Sequence, residues 1–237
     1  MRLDGIIFDL DGTLGDTLPI CYAAFRASLL QFVGRHYSDA EIRALFGPSE
    51  EGVFQNVAPA QAEAALEMYL QAYEREHASC TAPFPGVDRL LARLREHGVK
   101  QAIVTGKGPR SAAISLRRLG LSSYFDLVEA GSPEGAVKPA AIRAVLNAWN
   151  ADPARVAYVG DAPSDIDAAR QVGTLAIAAA WAPAALATAS ELRARHPDAT
   201  FTTVDAFVAW LDEQTAPSDD EVEPAGNVAN QREKRVP

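Results

Sequence analysis

The chain opens on a short apolar run, Gly5-Ile6-Ile7-Phe8, that ends on Asp9 and a turn containing Gly12. That is the pattern of a buried strand feeding a loop. From Leu18 to about Ser79 the apolar positions recur at helical spacing, with Cys21, Phe25, Leu29 and Phe32 in one stretch and Leu66, Tyr69, Leu70 and Tyr73 in another. Ser38-Asp39-Ala40-Glu41 fits a capping box in front of Ile42, Leu45 and Phe46. Strand-like alternation is missing from this stretch, so residues 15–82 predict a compact helical insert.

After Pro83-Phe84-Pro85-Gly86 the rhythm changes. A helix through Leu90, Leu91 and Leu94 stops at Gly98, and the strand-like run Val99–Val104 follows. A second helix, from about Arg110 to Leu119, stops at Gly120. Further strands are predicted at Asp126–Ala130, Val156–Val159 and Leu175–Ala179, with helices around Pro139–Trp149 and Asp165–Val172. A strand at Thr200–Thr202 and a helix to Leu211 close the pattern. Strands alternating with helices need crossover connections, hence an α/β fold: a Rossmann-like, doubly wound parallel sheet covered on both faces. The expected organisation is a catalytic core from 1–14 and 83–212, and an α-helical cap at 15–82 inserted after the first strand. From 213 to 237 the chain is poor in apolar residues and predicts a disordered tail. Its acidic Asp219-Asp220-Glu221 reads as a solvated stretch or a docking segment.

Composition narrows the function classes. With 48% hydrophobic and 22% charged residues, the 237-residue chain has the balance of a soluble globular protein. A formal net charge of −9 argues against broad nucleic-acid binding, which needs clustered Lys and Arg, but leaves room for a small anionic ligand. No apolar run approaches the ~20 residues that span a bilayer, and Asp4 falls too early for a secretory signal. Cys21 and Cys80 lack metal-ligand spacing and read as reduced thiols. The expected location is the cytoplasm, with no membrane and no nucleic-acid partner; monomer and homodimer fit equally.

Asp9-Leu10-Asp11-Gly12-Thr13-Leu14 stands at the carboxyl end of the first predicted strand, the edge where ligands bind in open parallel sheets. Residues two apart in extended chain share a side, so Asp9 and Asp11 can face one site. Two close carboxylates call for a cation or a proton between them, and Mg²⁺ suits oxygen ligands. The plain alternative is an Asp-Gly turn with Asp9 as a cap. Asp161 and Asp165 lie in a similar loop after another apolar strand, with an N-cap as the simple reading of Asp165. Thr105-Gly106 ends a third strand, where a hydroxyl and a glycine let backbone N–H groups approach an anion, or form only an ST-turn. Lys138-Pro139 opens a helix. Carboxylate pair, hydroxyl, lysine and second carboxylate pair thus all fall in loops of one sheet.

On these residues the sequence resembles the haloacid dehalogenase-like hydrolase superfamily, within it the phosphoglycolate-phosphatase-like branch, over about residues 3–211. Asp9-Leu10-Asp11-Gly12-Thr13-Leu14 matches the first motif, Thr105 the second, Lys138-Pro139 the third, and Gly160-Asp161 through Asp165 the fourth. The resemblance implies Asp9 as nucleophile and Asp11 as general acid and then base. It implies Thr105, Gly106 and Lys138 around the phosphoryl group, and Mg²⁺ held by Asp9, the Asp11 carbonyl and Asp161, with Asp165 behind them. The implied activity is Mg²⁺-dependent hydrolysis of a small phosphorylated metabolite through an aspartyl-phosphate. Gly106 departs from the Asn common there, Ala140-Ala141 from a second proline, and Gly15-Asp16 varies the hinge into the cap.

Asp11 weakens a dehalogenase reading, and the absence of any Lys between Asp9 and Lys100 weakens a phosphonatase reading. A β-phosphoglucomutase-like phosphomutase shares Asp9 and Asp11. A signalling receiver domain orders its acids differently and carries no helical insert. A non-catalytic phospho-ligand-binding protein would not need the full set. In the cap, Arg26, Arg35, Arg43, His36 and His77 read mostly as solvated faces. The loop Gly47–Gly52 is expected to close over the site, with Glu50 and Glu51 either favouring a polyol or cationic leaving group or simply beginning the next helix.

Overall fold

The computed structural model describes residues 3–215. At its centre β1 (Gly5–Phe8) runs parallel between β2 (Lys100–Val104) and β4 (Val156–Gly160). With β3 (Leu127–Glu129), β5 (Leu175–Ala179) and β6 (Ala199–Phe201) they form one six-stranded sheet, order β3-β2-β1-β4-β5-β6, every pair parallel. The strand order reverses on either side of β1, so the loops after β1, β2 and β4 open together at one edge. Register fixes their level. Phe8 pairs with both Ile103 and Val159, so the chain leaves all three strands within a residue or two of one another.

Alternation along β1 assigns the two faces. Ile6 and Phe8 join Ile103, Val159 and Ile177 in one core, closed by α5 (Val87–Glu96), α6 (Pro109–Arg118) and α10 (Val204–Thr215). Ile7 joins Val104, Tyr158 and Ala178 in the other, closed by α7 (Lys138–Trp149), α8 (Pro163–Val172) and α9 (Ala189–Arg193). Central strands buried on both sides explain why Gly5–Phe8 and Val156–Gly160 read as unbroken small or apolar runs.

The helical insertion between β1 and β2 contains α1 (Leu18–Val33), α2 (Asp39–Arg43), α3 (Glu50–Val57) and α4 (Ala62–Glu76) ahead of α5. These four share a separate apolar cluster built on Phe25, Phe54, Tyr69 and Tyr73. The expected capping box is present at α2, where Ser38 Oγ accepts from the Glu41 N–H and the Glu41 carboxylate accepts from the Ser38 N–H. α4 rests on α6: Ile114 enters the α1–α4 cluster, Tyr73 Oη and Ser115 Oγ share a 2.8 Å hydrogen bond, and Arg117 meets Glu74 at 2.7 Å.

Most element ends differ from the sequence expectation by a residue or two, and the end of α10 by four. β3 is shorter, and α8 starts earlier, at Pro163, which supplies a fixed φ for the first turn. α10 continues past Leu211 to Thr215, because Phe207 and Leu211 anchor it to the core. The expected tail otherwise lies outside the described residues. Among the described residues no helix is long and apolar enough to cross a membrane. Cys21 and Cys80 are both free, and burial pushes the Cys21 thiol up to about 12.

Candidate active site

The loops at the sheet edge bring Asp9, Asp161 and Asp165 together, all three buried, with one oxygen of each within 4.8 Å of the others. Asp9 leaves β1 with its N–H on the Val159 carbonyl (2.9 Å), which ties the first acid to the strand that carries the second. Gly12 makes the crossing possible. Its φ is +74°, and a Cβ there would stand 2.3 Å from Asp161 Oδ2.

Lys138 lies on the first turn of α7 and is the cation of this cluster. Its Nζ donates to Asp9 Oδ2 at 3.0 Å and to Asp165 Oδ1. Burial alone would lower its pKa, but Asp165 and Asp9 raise it well above the ordinary lysine value, so the ammonium stays charged. Asp165 is filled from both ends: Oδ2 accepts the Ala162 N–H (2.9 Å), and Tyr158 Oη adds a 3.4 Å contact to Oδ1. Asp165 is not the N-cap: Ala162 holds that position, and Asp165, at the third residue of α8, reaches back to the Ala162 N–H while standing beside the other acids.

Asp9 Oδ1 and Asp161 Oδ1 are buried without a hydrogen-bond partner. Burial, then Asp165 and Asp9, push the Asp161 carboxyl well above its usual range. Two orphaned carboxylate oxygens in a close acidic cluster are what a hard divalent cation fits, since it would pair with both and relieve the repulsion. Asp165 also belongs to the cluster, but its oxygens already serve Lys138 and Ala162, so Asp9 and Asp161 carry the open positions.

Asp11 stands apart from that cluster. Thr17 Oγ1 donates to its Oδ1, and Lys107 Nζ stands 3.4 Å from Oδ2. Burial pushes the Asp11 carboxyl up, against the pull of Lys107 and Thr17. Asp9 thus has a lysine on one oxygen and no partner on the other, whereas both oxygens of Asp11 have a partner. Thr105 follows β2, with its N–H on the Glu129 carbonyl (3.0 Å) and its Oγ1 accepting the Lys107 N–H (3.3 Å). That is the turn geometry the sequence allowed, yet Thr105 and the exposed Gly106 also line the same cavity of about 440 Å³ as Asp9, Asp11 and Lys138.

Three participants were not singled out from sequence. Thr17 orients Asp11, Tyr158 braces Asp165 while donating to the Val104 carbonyl (2.9 Å), and Lys107 is buried between Asp11 and Glu50. Of the two readings of Glu50, the helix-start one holds. Glu50 begins α3, and its Oε1 accepts from Ser111 Oγ (2.7 Å), Tyr69 Oη (3.1 Å) and Lys107 Nζ (3.2 Å), and its Oε2 from the Gly108 N–H. The carboxylate is already saturated by donors from the cap and the core. The loop does close on the core, where the Ser49 N–H donates to the Ser132 carbonyl at 2.8 Å.

Comparison with known proteins agrees with this geometry. Residues 6–179 match the family model described as haloacid dehalogenase-like hydrolase, and the chain belongs to that family. It is 33% identical over 183 residues to a phosphoglycolate phosphatase of Synechococcus elongatus, covering 76% of this chain and 84% of that protein. It is 26% identical over 183 residues to the pyrophosphatase PpaX of Bacillus mycoides, covering 76% and 85%. The crystal structure of CbbY from Rhodobacter sphaeroides in complex with phosphate shares the fold, with a TM-score of 0.73 at 21% identity over 89% of this chain and 100% of that one. The protein is therefore a hydrolase homologous to named phosphatases.

Proposed function

We propose that the protein hydrolyses a small-molecule phosphate monoester through an aspartyl-phosphate on Asp9, with Mg²⁺ as cofactor, in the manner of the phosphoglycolate-phosphatase-like branch. The observation that carries the reading is the unequal dressing of the acids. Asp9 has Lys138 on one oxygen and nothing on the other, Asp161 has a bare oxygen beside it, and Asp11 sits in its own pocket.

Asp9 attacks phosphorus, forming the Asp9–phosphoryl bond as the ester P–O bond breaks, and Asp11 delivers a proton to the departing oxygen. Asp11, now ionised, takes a proton from water, which attacks phosphorus and frees inorganic phosphate and the Asp9 carboxylate. Lys138 holds Asp9 Oδ2 and faces the phosphoryl charge, while the Thr105 hydroxyl and the Gly106 N–H receive its oxygens. Asp9 and Asp161, with the Asp11 carbonyl, would hold Mg²⁺, which supplies positive charge to the phosphoryl oxygens when bound. Asp165 acts by positioning Lys138. In this reading 15–82 is the cap and 1–14 with 83–212 the catalytic domain.

A phosphomutase would hold a second phosphate against the cap. Lys107 and Lys138 are the only Lys or Arg residues lining the cavity among the described residues, and carboxylates already pair both, which favours the phosphatase. The test is turnover of p-nitrophenyl phosphate with and without Mg²⁺, together with hydroxylamine-sensitive trapping of a phosphorylated Asp9 peptide. Metal-independent turnover, or a phosphoryl group on another residue, overturns the proposal.

A further inference from the structure

The cavity has two chemically different walls. On the core side stand Asp9, Asp11, Thr105 and Lys138; on the cap side stand Leu18, Cys21, Phe25, Phe46, Pro48 and Val53. Apart from Glu50, the cap side chains lining the cavity are carbon and sulfur, and Cys21, Phe25, Phe46 and Val53 belong to the apolar cluster that holds α1–α4 together. A volume of about 440 Å³ exceeds what a phosphoryl group fills and lies in the range of sites that bury ring-sized ligands.

Among the described residues, a leaving group on the cap side meets no available positive charge. Lys107 is the cation closest to it, and every direction it offers is taken: Glu50 Oε1 at 3.2 Å, Asp11 Oδ2 at 3.4 Å, and the Tyr73 ring, whose centroid is 4.2 Å from Nζ. Glu50 is locked in turn by Ser111, Tyr69 and Gly108. Lys138 is bound to Asp9 and Asp165 on the far side. Arg43, exposed on α2, is not among the lining residues and donates to the carbonyl of Leu186 at the cavity's edge. An anionic leaving group would therefore give up its water against carbon and lie near the Asp11 and Glu50 carboxylates, with no new cation in return.

We propose that the substrate is a phosphate monoester of an uncharged, substantially apolar alcohol, and that Glu50 sets this preference by neutralising Lys107. The inference rests on the phosphatase reading above and narrows its substrate class away from the carboxylate of phosphoglycolate and the second phosphate of pyrophosphate. Glu50 is a positioning residue here, since it meets the substrate only through Lys107 and the shape of the wall.

The experiment compares kcat/KM for 2-phenylethyl phosphate, ethyl phosphate, phosphoglycolate and pyrophosphate at fixed Mg²⁺, with p-nitrophenyl phosphate as the general phosphatase reference. The first three release alkyl alcohols, so leaving-group reactivity does not decide the ranking. Like-charge and desolvation costs of this kind predict 2-phenylethyl phosphate over phosphoglycolate by at least about tenfold, with ethyl phosphate between them. In Glu50→Gln, Lys107 keeps only the Asp11 carboxylate, its charge is no longer fully offset, and the ratio moves toward phosphoglycolate. Phe46→Arg places a cation on the apolar wall at a half-buried position and moves the ratio the same way, which keeps the test open should Glu50→Gln fold poorly. If wild type turns over p-nitrophenyl phosphate but prefers phosphoglycolate or pyrophosphate, the substrate class is wrong and the phosphatase reading stands. An unmoved ratio in folded Glu50→Gln removes Glu50 as its determinant. No turnover of any monoester overturns both.

Discussion

Lys138 Nζ stands 3.0 Å from Asp9 Oδ2 and at the same time holds Asp165 Oδ1, so one part-buried ammonium serves two buried carboxylates, one directly after β1 and one on α8. Three negative charges, from Asp9, Asp161 and Asp165, share one positive charge in this pocket, and among the described residues Asp161 has no cation of its own. Burial first, and this crowding of acids second, raise the Asp161 and Asp165 carboxyls. The crowding also makes the site a place where a divalent cation changes stability as well as rate.

Asp161→Asn therefore has two expected effects. In EDTA the variant melts at or above the wild-type temperature, because a buried, unpaired charge has been removed. Added Mg²⁺ stabilises the wild type according to RT ln(1 + [L]/Kd), about 2.7 kcal/mol at a hundredfold excess over Kd. The variant loses most of that response. Thermal melts with and without Mg²⁺ decide it, and an undiminished Mg²⁺ response in Asp161→Asn would remove this residue from the metal site.

Asp9→Asn keeps the fold and loses turnover, since an amide does not attack phosphorus. Asp165 still holds Lys138 there, so the melting temperature changes little. Steady-state turnover, with mass spectrometry to exclude deamidation, is the check. Full activity in an Asp9→Asn sample shown to be free of deamidation contradicts the nucleophile assignment.

The candidate site residues are legible in the sequence because each is a local event: a buried strand ends, and an acid or hydroxyl follows within a residue or two. Asp9, Thr105 and Asp161 are all of this kind, and parallel registry around β1 does the rest. Glu50 and Lys107 are not. They are 57 residues apart, and their pairing depends on how α3 settles onto the loop before α6. Neither helical periodicity nor capping preference carries that information. Glu50 at the first position of a helix looks like an ordinary dipole-complementing acid until the facing element is in place. Asp165 shows another case: at the third residue of α8, it satisfies the Ala162 N–H and holds Lys138 with the same side chain.

Asp11→Asn is expected to lower kcat roughly 10²–10⁴-fold through lost proton transfer. Mg²⁺ affinity is largely retained, since the ligand assigned there is the backbone carbonyl. A Mg²⁺ titration followed by melting temperature, run beside the kinetics, separates the two roles. Collapse of metal affinity with a normal rate at saturating Mg²⁺ would show that the side chain binds metal and transfers no proton.

Glu50 gives a pH-dependent stability with a defined sign. Burial pushes its carboxyl up, but Lys107, the Gly108 N–H and Ser111 more than offset this and hold it below the ordinary 4.5. The unfolded chain then binds the proton more readily than the native one. The contribution is complete above 4.5 and is lost as pH falls from there through the lowered native value. At pH 7, Glu50→Gln melts lower by roughly 5 °C or more, because it leaves Lys107 with one carboxylate in place of two. Below that window the gap between wild type and variant closes. A gap that stays constant from pH 7 to acid would show that the Glu50 charge contributes nothing.

Gly12→Ala and Gly98→Ala form a matched pair that separates backbone strain from the geometry of the site. Both glycines hold left-handed backbone, with φ of +74° and +69°. Each alanine therefore carries a conformational cost of about 1–2 kcal/mol, equivalent to a few degrees in melting temperature for a chain of this size. Their surroundings differ. Nothing lies within 4 Å of a Cβ at Gly98, whereas one at Gly12 would stand 2.3 Å from Asp161 Oδ2 and 2.7 Å from its carboxyl carbon. Asp161 is fully buried and cannot swing into solvent, so the added methyl must displace the loop that carries Asp9 and Asp11 or the carboxylate itself. Gly98→Ala should melt a few degrees lower with unchanged kcat and Mg²⁺ response. Gly12→Ala should lose more stability, most of the Mg²⁺-dependent shift in melting temperature, and nearly all turnover. If the two variants lose stability equally and Gly12→Ala keeps its Mg²⁺ response, the contact between the first acidic loop and Asp161 does not shape the metal site.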